Sequence, residues 1–229
     1  MSIDLHSRPH VVATVTRDAD LSWLQAEAEP AADILEYRLD DLLSHRETVA
    51  ESIEAVRRPV LLTVRRPDEG GAGSLADEER LAVYREFLPA ATLVDTEIAS
   101  LAAPAFEAFP ARARERGVLL VGSHHDFNEF PGIEHLREQA DAAGEHGCDV
   151  IKFAVVLERM DDLFSLAGLV EEIRASGRLV SAMGMGGLGR LSRLVLAKAG
   201  SCLNYGYLQS PNAPGQWSAS ELTKLLGEI

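Results

Sequence analysis

Only three of the 229 residues are lysine (Lys152, Lys198 and Lys224), against nineteen arginines. Cysteine is equally scarce: Cys148 and Cys202 stand far apart and form no CxxC pair. That excludes a disulfide framework, and both read as small buried residues of a reducing cytoplasm. No segment approaches the roughly 18 continuous apolar residues of a membrane span. The opening MSIDLHSRPH has no basic flank followed by an apolar run, so no secretory signal is expected. Positive charge is short as well. A net charge of −14 argues against nucleic acid or anionic lipid as partners, because both need a basic surface. An acidic, lysine-poor chain suits high salt, where self-repulsion is screened, and points to a halophilic source. An acidic cytosolic protein from a GC-rich genome is the plainer alternative.

Hydrophobic residues make up 46%, enough for one large core. Short apolar runs alternate with longer amphipathic stretches. The runs are VVATVT (11–16), DILEYR (33–38), VLLTVR (60–65), LVDTEI (93–98), VLLVGS (118–123), DVIKFAVV (149–156), RLVSAM (178–183) and CLNYGY (202–207). Their Val, Ile and Leu content fits strands buried on both faces. Between them, Leu81, Tyr84, Phe87 and Leu88 keep helical spacing, as do Leu163, Leu166, Leu169, Val170 and Ile173. Acid at 77–79 and at Asp161-Asp162 marks helix starts. Gly117, Gly147, Gly177 and Gly200 fall where a left-handed helix cap is wanted. Eight strand–helix units predict an α/β fold, a closed (β/α)8 TIM barrel forming one catalytic domain over 1–229. A doubly wound open sheet is the alternative.

Polar residues cluster at strand ends. Glu36 and Arg38 lie in the second strand, Arg65 ends the third, and Glu97 lies in the fourth. His124, His125 and Asp126 follow the fifth, and Lys152 sits within the sixth. Charge inside apolar strands is costly unless paired or functional, and several such groups at one barrel end make a polar pocket. Lys152 is either a structural lysine in a buried ion pair or a nucleophile for a ketone. In the second case burial and the cations Arg38, Arg65 and Arg193 would disfavour its ammonium form. His125 suits a general acid/base, but spacing alone leaves His124 equally eligible, and either could be a surface loop histidine. A metal site built on His124, His125 and Asp126 is disfavoured, since adjacent strand residues point opposite ways. The loop at 184–189 matches GxGxxG formally. It occurs in the seventh unit with no acidic partner about twenty residues on, so an anion-binding loop fits better than a dinucleotide fingerprint. Arg193, in the following helix, could clamp a carboxylate or simply be solvated.

Taken together, EYR (36–38), TVRRPDEGG (63–71), HDF (125–127), DVIKFAV (149–155), SR (192–193) and APGQ (213–216) resemble the type I 3-dehydroquinate dehydratases. The resemblance spans nearly the whole chain. It implies dehydration of 3-dehydroquinate to 3-dehydroshikimate in the shikimate route to aromatic amino acids, by a homodimer without a cofactor. It implies Lys152 as the imine-forming lysine, His125 as acid/base and Glu69 as the group that orients His125. It makes Glu36, Arg38, Arg65, Arg193, Asn212 and Gln216 substrate ligands, Gln216 on a lid. Asn212 stands where some members have serine, and GMGGLGRL is richer in glycine than the family pattern. Another lysine-imine barrel, such as a class I aldolase, is the nearest rival. A silent ligand-binding regulator on the same scaffold would be expected to have lost Lys152 or His125.

Overall fold

The computed structural model describes residues 3–26, 30–211 and 215–229. All eight apolar runs are strands: β1 (His10–Val15), β2 (Ile34–Arg38), β3 (Val60–Thr63), β4 (Leu93–Glu97), β5 (Leu119–Asp126), β6 (Val150–Val156), β7 (Leu179–Met185) and β8 (Leu203–Tyr207). The helices are α1 (Asp18–Ala26), α2 (Arg46–Ala55), α3 (Asp77–Phe87), α4 (Ile98–Leu101), α5 (Phe109–Glu115), α6 (Ile133–Glu145), α7 (Met160–Ala175), α8 (Gly189–Ala199) and α9 (Ala219–Leu226). Every ladder is parallel, and the strands follow one another in chain order, with β8 returning to β1. A doubly wound sheet would reverse its order partway, and this one does not.

The barrel is nearly closed. At the β7/β8 seam the Cys202 N–H donates to the Val180 carbonyl at 2.8 Å. Ser181 Oγ donates to the Leu203 carbonyl at 2.7 Å, and Ser201 Oγ accepts from the Ala182 N–H at 2.9 Å. Two buried serines thus take the place of a regular ladder. The helix ends follow local chemistry. Glu79 accepts the Ala76 N–H ahead of α3, and Ser218 with Glu221 forms a capping box on α9. Gly117, Gly147, Gly177 and Gly200 have φ of 68°, 72°, 84° and 120° after their helices. Cys202 is buried as expected, whereas Cys148 is only half-buried.

Side-chain alternation places the site. Outward residues such as Ala13, Leu35, Leu62 and Val94, or Ile151, Phe153 and Val155, pack under the helices. Inward residues stack in layers. Val12, Ile34, Leu61, Leu93, Val121, Val150 and Leu203 fill the lower barrel. Two positions on, the inward residue changes character on every strand: Thr14, Glu36, Thr63, Asp95, Ser123, Lys152, Ser181 and Tyr205. Another step brings Arg38, Arg65, Glu97 and His125 to the carboxyl-terminal mouth. The registers pair Glu36 with Leu61 and Asp95 with Val121, the stagger that closure of a tilted barrel requires. The apolar floor therefore carries a polar upper half, at the end where barrel enzymes hold substrates.

Candidate active site

One cavity of about 130 Å³ opens at that mouth. Lys152, His125, Glu69, Glu36, Arg38, Arg65, Arg193 and Gln216 all line it. Asn212, the remaining expected ligand, lies outside the described residues.

Lys152 is third in β6 and points inward, 4% exposed. Its Nζ lies 2.6 Å from Asp95 Oδ2 and 4.1 Å from the centre of the Tyr205 ring. Cations alone do not surround it, contrary to expectation, because Asp95 was not foreseen. The carboxylate and the ring face instead flank Nζ on the inner side of the barrel. Arg65 is 3% exposed and spends its guanidinium on the same carboxylate. Nη2 donates to Asp95 Oδ1 at 2.8 Å, and Nη1 donates to Glu97 Oε1 at 2.9 Å and Ser123 Oγ at 2.6 Å. Burial would raise the Asp95 carboxyl, yet Arg65 and Lys152 hold it well below the usual carboxylate range. Glu97 accepts in turn from Ser100 Oγ at 2.8 Å, from the Arg66 N–H at 3.0 Å and from Arg80 of α3. A chain of alternating charge thus runs from α3 through the barrel wall to Lys152.

His125 faces the cavity and His124 does not. The register sets Ser123 beside Lys152 and His125 beside Ala154, all inward. The His124 ring turns outward to His135 of α6, centroids 5.1 Å apart. Asp126 Oδ1 accepts from the N–H groups of Asn128 and Glu129, so this trio does not converge on a common point. Glu69 Oε2 sits 2.9 Å from both His125 Nδ1 and the His125 backbone N. An oxygen that accepts the backbone N–H is placed to accept Nδ1–H too, an arrangement that goes with an unprotonated Nε2. Burial, then repulsion from Arg65 and Lys152, holds the imidazole well below its ordinary basicity. Burial also pushes the Glu69 carboxyl from 4.5 up to about 7. Glu69 is delivered by a 3₁₀ turn, Pro67–Glu69, that ends at Gly70 with φ 83°. Gly71 folds back so tightly that a Cβ there would lie 2.1 Å from the Arg65 carbonyl oxygen. The GG of the sequence is thus what lets this turn reach β5.

Glu36 accepts from Thr63 Oγ1 at 2.7 Å. Arg38 is paired with Asp40 at 3.1 and 2.8 Å and donates to the Gly70 carbonyl, tying β2 to the Glu69 turn. Arg193 is 2% exposed and not a solvated helix residue. Its Nε donates to the Tyr205 carbonyl at 3.0 Å. Nη1 donates to the carbonyls of Gly184 (3.0 Å), Gly189 (2.7 Å) and Gly215 (2.9 Å). The loop expected to bind an anion therefore turns its carbonyls of Gly184 and Gly189 onto the arginine. An anion in the cavity would meet the guanidinium. Among the described residues no carboxylate pairs with Arg193, and burial lowers it to about 10. A buried cation without a counter-ion is suited to a ligand carboxylate.

Sequence reasoning passed over Asp95, Ser123 and Tyr205. Asp95 shares the inward parity of Glu97, and Ser123 that of His125, both singled out in the sequence. Tyr205 sits in an apolar-looking strand, where parity counted from the barrel floor was the available signal.

A family model described as type I 3-dehydroquinase matches residues 11–229. The 3-dehydroquinate dehydratase of Thermodesulfovibrio yellowstonii is 30% identical over 209 residues, covering 90% of this chain and 89% of its own. The crystal structure of 3-dehydroquinate dehydratase from Geobacillus kaustophilus matches with a TM-score of 0.84 at 26% identity, over 97% of this chain and 91% of that one. A type I enzyme from Clostridium difficile, solved with covalently modified comenic acid, gives a TM-score of 0.84 at 25% identity, over 96% and 92%.

Proposed function

The chain belongs to the type I 3-dehydroquinase family, and we propose that Lys152 carries its reaction by condensing with the substrate ketone while His125 moves the proton. The reaction is the dehydration of 3-dehydroquinate to 3-dehydroshikimate. The observation that carries the assignment is the convergence of one buried lysine and one inward, carboxylate-oriented histidine on a single cavity.

Proton loss beside a plain ketone is slow because the enolate is high in energy. A protonated imine on Lys152 places a positive charge where the electrons will move, and the neighbouring carbon becomes acidic enough for an imidazole. Asp95, already 2.6 Å from Nζ, faces that cation. His125 Nε2 takes the proton, and Glu69 supports the imidazolium that results. His125, or water beside it, then protonates the departing hydroxyl, and hydrolysis of the imine releases product and free Lys152. Arg193 receives the substrate carboxylate, and Glu36, Arg38 and Arg65 surround its hydroxyls. Gln216 sits on the β8–α9 loop that Arg193 anchors through Gly215. Holding the ring in register in this way can contribute several kcal/mol, about 7–11 at best.

Family membership supports a homodimer working in the cytoplasm. The described residues form one barrel, which supports a single catalytic domain over 1–229. No described helix is long and apolar enough to cross a membrane. The acidic surface supports adaptation to high salt, which would appear as a melting temperature that rises between low and molar salt. The direct assay supplies 3-dehydroquinate and follows the enone absorbance of the product. Wild type should generate it and Lys152→Ala should not, while still binding substrate. Turnover by Lys152→Ala at a wild-type rate would exclude the covalent route.

A further inference from the structure

Tyr205 stands in the polar layer of the barrel with its ring face against Nζ of Lys152, at 4.1 Å from the centroid. The residue is 3% exposed and borders the cavity. Its hydroxyl is buried and has no hydrogen-bond partner among the described residues. Buried hydroxyls are normally satisfied, and an orphan beside a reactive amine is an unfilled position in a binding site. Nζ lies 4.1 Å from the ring centroid, which keeps Oη, at the edge of that ring, near the amine, and the position it would serve is an atom one bond beyond the carbon that Nζ attaches to. In a ketone under attack by Lys152, that atom is the carbonyl oxygen.

Resting on the imine reading above, we propose that the Tyr205 hydroxyl is a substrate-binding group that donates a hydrogen bond to the oxygen on the carbon attacked by Lys152. The bond is made to the ketone and kept in the tetrahedral adduct. It polarises the C=O toward the amine and holds the ring so that the face of the carbonyl meets Nζ. No proton is transferred. Burial, reinforced by the negative charges of Glu36 and Asp95, holds the phenol well above its ordinary value, so it binds as a neutral donor. The specificity that follows is for a ligand with an acceptor oxygen on the reacting carbon.

Tyr205→Phe keeps the ring against Nζ and removes only the hydroxyl. Borohydride quenching at short times measures adduct formation in both proteins. The expected result is a fall of roughly tenfold in the adduct-forming rate and in kcat/KM, the size of one lost hydrogen bond. The melting temperature should hold or rise, because an unsatisfied buried hydroxyl has gone. A substrate analogue with a methylene in place of the ketone should bind both proteins alike. Unchanged adduct formation in Tyr205→Phe, with wild type trapping normally, overturns this assignment and leaves the imine reading standing. Weaker binding of the methylene analogue to Tyr205→Phe also overturns it, by placing the hydroxyl on another part of the ligand. Failure of wild type itself to form an adduct takes both down.

Discussion

The amine of Lys152 and the carboxylate of Asp95 lie 2.6 Å apart inside the barrel, and the pair is the electrostatic centre of the site. The same carboxylate accepts from Arg65, so removing its charge takes a partner from both side chains. Asp95→Asn should therefore still form an adduct, because the lysine is untouched. Its turnover should drop by roughly a hundredfold, since the iminium loses its counter-charge. Single-turnover kinetics separate the two steps, and a full-speed elimination in Asp95→Asn would contradict this role.

His125 and His124 differ only in which way β5 turns them. His125→Ala should retain adduct formation and lose elimination, so a trapped species accumulates during turnover. His124→Ala should stay within a few-fold of wild type, since its ring packs against His135 on the helix side. Steady-state rates of the two variants make the comparison. Greater damage from His124→Ala would reassign the base.

Glu69 sets a pH limb. Its carboxyl is raised from 4.5 to about 7, chiefly by burial, and only the ionised form supports an imidazolium on His125. kcat/KM should fall as pH drops through about 7, and Glu69→Gln should be slow and flat over that window. The linked stability has the opposite sign. A group raised on folding contributes fully below its unfolded value and loses that contribution as pH rises through the folded one. Glu69→Gln should therefore match wild type near pH 4.5 and exceed it above pH 7, by up to about 3 kcal/mol. Denaturant unfolding at several pH values reads the slope.

Glu97 binds both Arg65 and Arg80, and all three side chains are buried. Glu97→Ala should cost about 3–5 kcal/mol of stability, because two buried guanidinium groups lose a partner. Residual folded protein should also lose activity, as Arg65 would no longer be held between Asp95 and Glu97. A melting temperature within a degree or two of wild type would show that the network is dispensable.

The fold was legible because each strand is a dense apolar run and each helix keeps its period. Lys152 was legible because a chain that avoids lysine places one among Val, Ile and Phe. The choice between His124 and His125 was not legible from spacing. It depends on which parity faces inward, and the register of β5 against β6 settles that. Asp95 was hidden for a related reason: it reads as one more acid in an acidic chain until β4 turns it toward β6. The use of Arg193 was half visible. Its burial and its carbonyl partners come from residues 184, 189, 205 and 215, which only the closed barrel brings together.

Reduction by borohydride in the presence of 3-dehydroquinate, followed by peptide mass analysis, reaches the centre of this account. A stable mass increase should appear on the peptide containing Lys152, and neither Lys198 nor Lys224 should carry it. Continued turnover with no modified lysine, or with the added mass on another residue, would contradict it.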